Sequence, residues 1–182
     1  MTAPYTLSKR LKLMCKVLMW LSLVLSLAYI GIGYANDVQG ILIEACYQHI
    51  DLQHRELIQT SALKTFAINT LAFITVSSNL LIYIAMMNVF YRMSTGHVFS
   101  LPAVKSIRVL GFMILFYALI SVSSFPLMVA VWTYDNPEGH QLFSGSLSTF
   151  QGMMLLMGGL FLMIGHIYTE ASRIAEENRQ YV

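Results

Sequence analysis

Four long apolar stretches, separated by short polar ones, set out the architecture of this chain. They are Val17 to Ala35, Lys64 to Tyr91, Val109 to Tyr134 and Leu147 to Tyr168. Each is near or above the roughly 20 residues that carry a helix across about 30 Å of hydrocarbon. A water-soluble core explains them poorly, because such a core needs helices with polar outer faces. The pattern predicts an all-α polytopic membrane protein, with four transmembrane helices in an up-down bundle and a single membrane domain over residues 1–182. A polar loop (36–63), a connector (92–108) and a tail (169–182) complete it. The first apolar stretch follows a basic start and resembles a signal peptide, with Gly33-Tyr34-Ala35 as a tolerable cleavage site. Signal-peptide cores usually run 7–15 residues, and this one is longer, so it is assigned as the first span.

The polar stretches carry their own structure signals. In Asn36 to Thr60, apolar residues recur at Val38, Ile41, Leu42, Ala45, Cys46, Ile50, Leu57 and Ile58. That spacing predicts an amphipathic helix, lying on the membrane surface or over the end of the bundle. In the connector, Ser94-Thr95-Gly96 is turn chemistry. Ser100 is a good N-cap, and Pro102 suits a first helical turn. Lys105 and Arg108, three apart, fall on one face of the helix that follows. Pro126 lacks a backbone donor and predicts a kink in the third span, with Ser121, Ser123 and Ser124 nearby to satisfy the freed carbonyl.

Charge orients the chain. Only 11% of the residues are charged, against about 25% in a soluble domain. Lys9, Arg10, Lys12, Lys16, Arg92, Lys105, Arg108, Arg173 and Arg179 fall in the N-terminal stretch, the connector and the tail. Only Arg55 and Lys64 fall on the other side. This asymmetry predicts that both termini are cytoplasmic and that residues 36–63 lie outside. The net charge of +2 is too small for a nucleic-acid footprint, so no direct nucleic-acid binding is expected. Cys15 and Cys46 lie at opposite ends of the first span and cannot pair, and no Cys/His spacing suits zinc.

Within the connector, Gly96, Phe99, Ser100, Ile107, Arg108 and Gly111 form a short pattern. Ile174, Glu176, Glu177 and Val182 form another in the tail. Together they resemble the domain-of-unknown-function 2975 family of small four-helix bacterial membrane proteins. The resemblance implies the same fold and an inner-membrane location, and no reaction. Some members are similar in being encoded beside small DNA-binding regulators, which implies a regulatory role.

The remaining candidates are few. His166 is the only ionisable residue well inside an apolar stretch, with Glu170 one turn on. Charge at such depth costs about 3 kcal/mol or more, so the pair reads either as proton- or ligand-linked, or as a neutral histidine hydrogen-bonded near the interface. Asn69, Asn79 and Asn88 do not share one helical stripe and suit interhelical hydrogen bonds better than a pore. Gly158, Gly159 and Gly165 suit close helix packing. His49 and His54 with Glu44, Asp51 and Glu56 are a candidate external metal cluster, but five-residue spacing keeps the two histidines off one face. No G-x-S-x-G, H-E-x-x-H or Walker loop is present, so no enzyme and no cofactor are expected. Two sets of residues are singled out. His166, Glu170 and Asn79 are the intramembrane set. Gly96, Phe99, Ser100, Lys105, Arg108, Glu176 and Glu177 are a cytoplasmic docking face for a protein partner. The leading expectation is a non-enzymatic regulatory or interaction protein of the bacterial inner membrane. The alternatives are a small oligomeric channel or transporter with a polar path near Asn79, Ser121, Ser124 and His166, or an extracytoplasmic sensor or immunity-type protein. The lipid bilayer is an expected partner in every case, and a homo-oligomer is compatible with each.

Overall fold

The computed structural model describes residues 9–35, 38–95, 101–137, 139–143, 145 and 147–180. All the described regular elements are helices: α1 (Lys9–Ala35), α2 (Val38–Gln48), α3 (Leu52–Arg55), α4 (Ala62–Ser94), α5 (Leu101–Thr133) and α6 (Thr149–Gln180). Helices α1, α4, α5 and α6 are long and apolar enough to cross a membrane. They overrun the apolar stretches. α1 begins within the basic start, α5 takes in the basic half of the connector, and α6 continues through the charged tail. Lys, Arg, Glu and Ala are good helix formers, so the chain can leave hydrocarbon without leaving the helix.

Local chemistry sets the helix starts. Ser61 caps α4, its Oγ accepting from the Lys64 backbone N–H at 3.3 Å. Ser148 and Gln151 form a capping box at the start of α6. The Ser148 Oγ accepts from the Gln151 N–H at 3.2 Å, and the Gln151 Oε1 accepts from the Ser148 N–H at 2.9 Å. α5 runs unbroken through Pro126. Five residues before it, the Ser121 carbonyl accepts from the Gln151 side-chain amide at 3.1 Å and from the Ser124 hydroxyl at 3.2 Å, next to the Val122 carbonyl that Pro126 deprives of its donor.

The long helices pack as a row. α1 lies on α4, α4 on α5 and α5 on α6, and no other pair of long helices makes more than marginal contact. The α5–α6 seam is antiparallel and close. A Cβ on Gly111 would stand 2.8 Å from the Leu162 backbone N and 3.0 Å from the Gly158 O. One on Gly158 would meet Leu115, and one on Gly165 would meet the Arg108 side chain. Small residues at these positions let two backbones approach, as in other membrane helix pairs. Gly159, by contrast, has nothing within 4 Å, so it lies off the packing face shared by its neighbour and Gly165. The α4–α5 seam is also antiparallel, with Ala85, Val89, Ile107, Leu110 and Ile114 forming its buried core. Large apolar side chains cover the flanks away from these seams, Leu119 at 60% exposure and Leu156 at 77% among them. Such an outer surface suits lipid and not water.

The predicted amphipathic helix is α2, and it covers the bundle end. Its Cys46 is 1% exposed and packs with Ala72 of α4 and Met128 of α5, with Leu42 and Ile43 beside it. Burial pushes the Cys46 thiol up to about 11. Its Sγ lies 3.5 Å from the Met128 sulfur. Neither cysteine is in a disulfide.

The glycine contacts generate a direct test. Gly111→Ala is expected to destabilise the folded protein in detergent by about 1–3 kcal/mol, because the added methyl meets backbone that cannot rotate away. Gly159→Ala should change stability by less than about 0.5 kcal/mol. Thermal unfolding of the two variants beside the parent checks this, and equal midpoints would contradict the close seam.

Candidate functional site

Polar chemistry concentrates at the two ends of the row. The first concentration is a cleft of about 410 Å³ where the end of α4 meets the start of α5, lined by Asn88, Arg92, Pro102, Lys105, Ser106 and Val109. Asn88 and Arg92 are one helical turn apart, and the Arg92 Nε donates to the Asn88 Oδ1 at 3.1 Å. The α5 residues recur at three- and four-residue spacing, which places them on one face. Ser106 is buried and donates to the Pro102 carbonyl at 2.9 Å. Among the described residues, the Lys105 ammonium and the outer nitrogens of Arg92 have no partner, and no carboxylate lines the cleft. Of the predicted docking face, Lys105 is in the cleft. Arg108, one turn on, lays its side chain over Gly165. Gly96, Phe99 and Ser100 lie outside the described residues, as does the side chain of Glu176. Glu177 is exposed and faces Arg173 of its own helix at 3.9 Å, not the basic start of α5.

The second concentration is a polar cap at the opposite end, built around Lys64. This residue is 7% exposed, and its ammonium donates to the Gln59 carbonyl at 2.9 Å and the Trp132 carbonyl at 3.0 Å. Its third donor goes to the Asp135 carboxylate. One cation thus joins the segment before α4 to the end of α5. Thr133 continues the cap, its Oγ1 accepting from the Leu142 N–H at 2.9 Å. Asn136 is 3% exposed and donates through Nδ2 to the His54 and His140 carbonyls, both at 3.3 Å. The His54 and His140 rings lie 5.3 Å apart, and Tyr47 meets Trp132 edge-on at 5.3 Å. Arg55 donates to the Ile50 and Gln48 carbonyls and lies over the Tyr47 ring. Three buried polar atoms among the described residues have no hydrogen-bond partner, and all three are in this cap: His54 Nδ1, Trp132 Nε1 and Asn136 Oδ1.

The histidines regroup relative to the sequence pattern. The His49 Nδ1–H donates to the Ala45 carbonyl, 2.8 Å away, and its ring meets Phe125 edge-on. His54 instead meets His140, which lies 86 positions further along the chain. No group of three or more His, Cys, Asp or Glu is placed to hold a metal among the described residues. The capping role of Lys64 was hidden as well, because in sequence it is only a lysine at the edge of an apolar stretch. Asp135, just past the third stretch, was the available signal.

The intramembrane candidates do not converge. His166 is exposed on the outer flank of α6, and the Glu170 carboxylate accepts from Arg173. Asn79 is half-buried, while Asn69 is exposed. Ser124 is buried, with its hydroxyl turned to the Ser121 carbonyl of its own helix. Ser121 is held by Gln151 through both its carbonyl and its hydroxyl, each at 3.1 Å. The described structure therefore brings Asn79, Ser121, Ser124 and His166 to no common cavity.

Comparison of the chain with protein-family models, with curated proteins and with solved structures gives no match to any of them.

The cap carries a pH dependence. The Lys64 ammonium, hydrogen-bonded to the Asp135 carboxylate, holds Asp135 below its ordinary range. A carboxylate with a depressed native pKa stabilises the fold above its unfolded pKa, about 3.9, and this contribution is lost as pH falls through the native value. The parent protein is expected to lose thermal stability from about pH 4 downwards, and Asp135→Asn should flatten that part of the profile. Melting curves in detergent between pH 7 and pH 3 measure it. An unchanged slope in the variant would remove Asp135 from the account.

Proposed function

We propose that this chain is a non-enzymatic regulatory or interaction protein of the bacterial inner membrane, with four spans in up-down order and both termini in the cytoplasm. Several contacts support that order. The Tyr29 and Tyr83 rings are 5.8 Å apart, while Leu42 and Ile43 pack beside Ala72. From Tyr83 back to Ala72, α4 rises about 16 Å, so the chain between Tyr29 and Leu42 climbs against the direction of α4. Antiparallel α4–α5 and α5–α6 seams then gather the basic start of α1, the basic start of α5 and the tail at one end. The excess of Lys and Arg at that end supports its placement in the cytoplasm. The resemblance to the domain-of-unknown-function 2975 family agrees with this location.

The observation that carries the functional reading is the end of α6. Arg108 packs at Gly165, and the seam is antiparallel, so Leu101 lies level with residue 172. The helical residues beyond 172 extend past the described start of α5 by about 12 Å. Arg173 holds this arm in shape by pairing with Glu170 and Glu177 on its own helix. Glu170, Arg173, Ile174 and Glu177 are all exposed. A stiff, charged, projecting helix presents a surface that a cytoplasmic partner can read.

A second reading, an extracytoplasmic sensor, is favoured by the three unpartnered polar atoms gathered in the cap.

Affinity capture from membranes tests the first reading. A partner retained by the parent protein should be lost on Arg173→Glu with Glu177→Arg, a swap that keeps net charge and helix propensity. The melting temperature should stay within about 2 °C, as for a surface change. Identical partner lists for parent and variant would count against it. Protease access to both ends only in inverted vesicles is the expected topology, and cleavage of either end from outside would overturn it.

A further inference from the structure

We infer that the cleft between α4 and α5 is a binding site for the phosphate of an anionic phospholipid. The inference rests on the four-span reading and not on the existence of a protein partner. Its first basis is charge. The Arg92 guanidinium and the Lys105 ammonium line one cleft of about 410 Å³ that, among the described residues, no acidic side chain lines. Three cations elsewhere in the described structure are met by protein groups, whereas Lys9, Arg10, Lys12, Lys16 and Arg108 do not line this cleft. Lys64 has Asp135 and two carbonyls, Arg55 has two carbonyls and a tyrosine ring, and Arg173 has two glutamates. Two cations facing one space without a counter-charge repel each other, and an anion that bridges them removes that cost. Arg92 is oriented by its Nε bond to Asn88, which leaves the outer guanidinium nitrogens to donate. The planar fork of arginine suits two phosphate oxygens, and lysine adds a point charge. Among the described residues, no other charged side chain lines the cleft.

The second basis separates a lipid from a free anion. On α5, Lys105 begins a stripe that continues through Val109, Phe112 and Phe116 at helical spacing. These three are 44%, 57% and 41% exposed, and the Phe112 and Phe116 rings stack at 6.4 Å. On α4, Asn88 is preceded at the same spacing by Ile84 and Leu81, at 47% and 39% exposure. The cleft is therefore cationic at the end of the spans, and the exposed faces leading from it towards mid-span are apolar. A phosphate at the mouth with acyl chains along these faces matches both halves. A small inorganic anion uses only the first. Juxtamembrane Lys and Arg draw anionic headgroups in this manner.

Native mass spectrometry of the full chain with dioleoyl-phosphatidylglycerol, with dioleoyl-phosphatidylcholine, and with inorganic phosphate alone tests the site. Phosphatidylglycerol should be retained in preference to phosphatidylcholine. Arg92→Gln and Lys105→Gln should each weaken its retention about fivefold, and the double variant about twenty-fivefold. Lys105→Arg should keep most of it, and Arg173→Gln, on the projecting arm, should leave it unchanged. Equal retention by the double variant and the parent would overturn the proposal. So would an equal loss with Arg173→Gln, which would mean diffuse charge attraction. Inorganic phosphate displacing the lipid at millimolar concentration, with no preference between the two lipids, would assign the cleft to a soluble anion and overturn the lipid reading. A variant that does not fold is recognised by its melting curve, and Lys105→Arg then decides against the parent. Failure here leaves the vesicle topology untouched, so the two readings fall separately.

Discussion

Hydrocarbon cannot hydrogen-bond, and this single fact arranges the molecule. Every backbone polar group along the spans has to be satisfied within its own segment, which leaves helix as the available form. Side-chain polarity is pushed to the ends or folded back onto the helix. Thr70, Thr75, Ser78 and Ser124 all donate to carbonyls three or four residues back. These local bonds satisfy the hydroxyl without a partner helix. They also explain why polar residues within the spans need not add up to a pathway.

Helix excess length does the rest. α4 and α5 each have 33 residues, or about 50 Å, against about 30 Å of hydrocarbon. The surplus supplies a platform at either end. At one end it carries the Lys64 cap, where α2, α3, the segment before α4 and the α5–α6 loop are tied by guanidinium, ammonium, amide and hydroxyl donors. At the other it carries Arg92 and Lys105, whose charges the described protein leaves open. The two ends differ chemically: one ties Lys64 and Arg55 into the protein, while the other leaves Arg92 and Lys105 facing one open cleft.

The spans were legible in the sequence because their signal is a solvent signal, carried by twenty or more residues at once. Cap membership was not, because it depends on distant pairs. His54 lies near His49 in the chain but meets His140 in the fold. In sequence Lys64 is only a charge, since nothing local shows that Asp135 will reach it. Gly159 and Gly158 are equivalent in sequence, and only the helix phase against α5 separates the packed one from the free one. The Ser148 and Gln151 capping box was present as a readable S-x-x-Q, yet it sits where apolar composition draws attention to the span and away from its start. Arg92 and Lys105 illustrate the middle case. Both were visible as positive charge, but that they share one space depends on the antiparallel α4–α5 register.

The row of helices also bears on how the protein is made. Each long helix packs chiefly on the next long helix in the chain, so no span has to wait for a distant one before it finds its partner. Contacts that are local in sequence lower the loop-closure cost and quicken folding. A ribosome delivering α1, then α4, then α5, then α6 into the bilayer would let each seam close as its second member arrives. Biogenesis could then proceed stepwise, with the Lys64 cap sealed once Asp135 emerges and the α5–α6 glycine seam formed last.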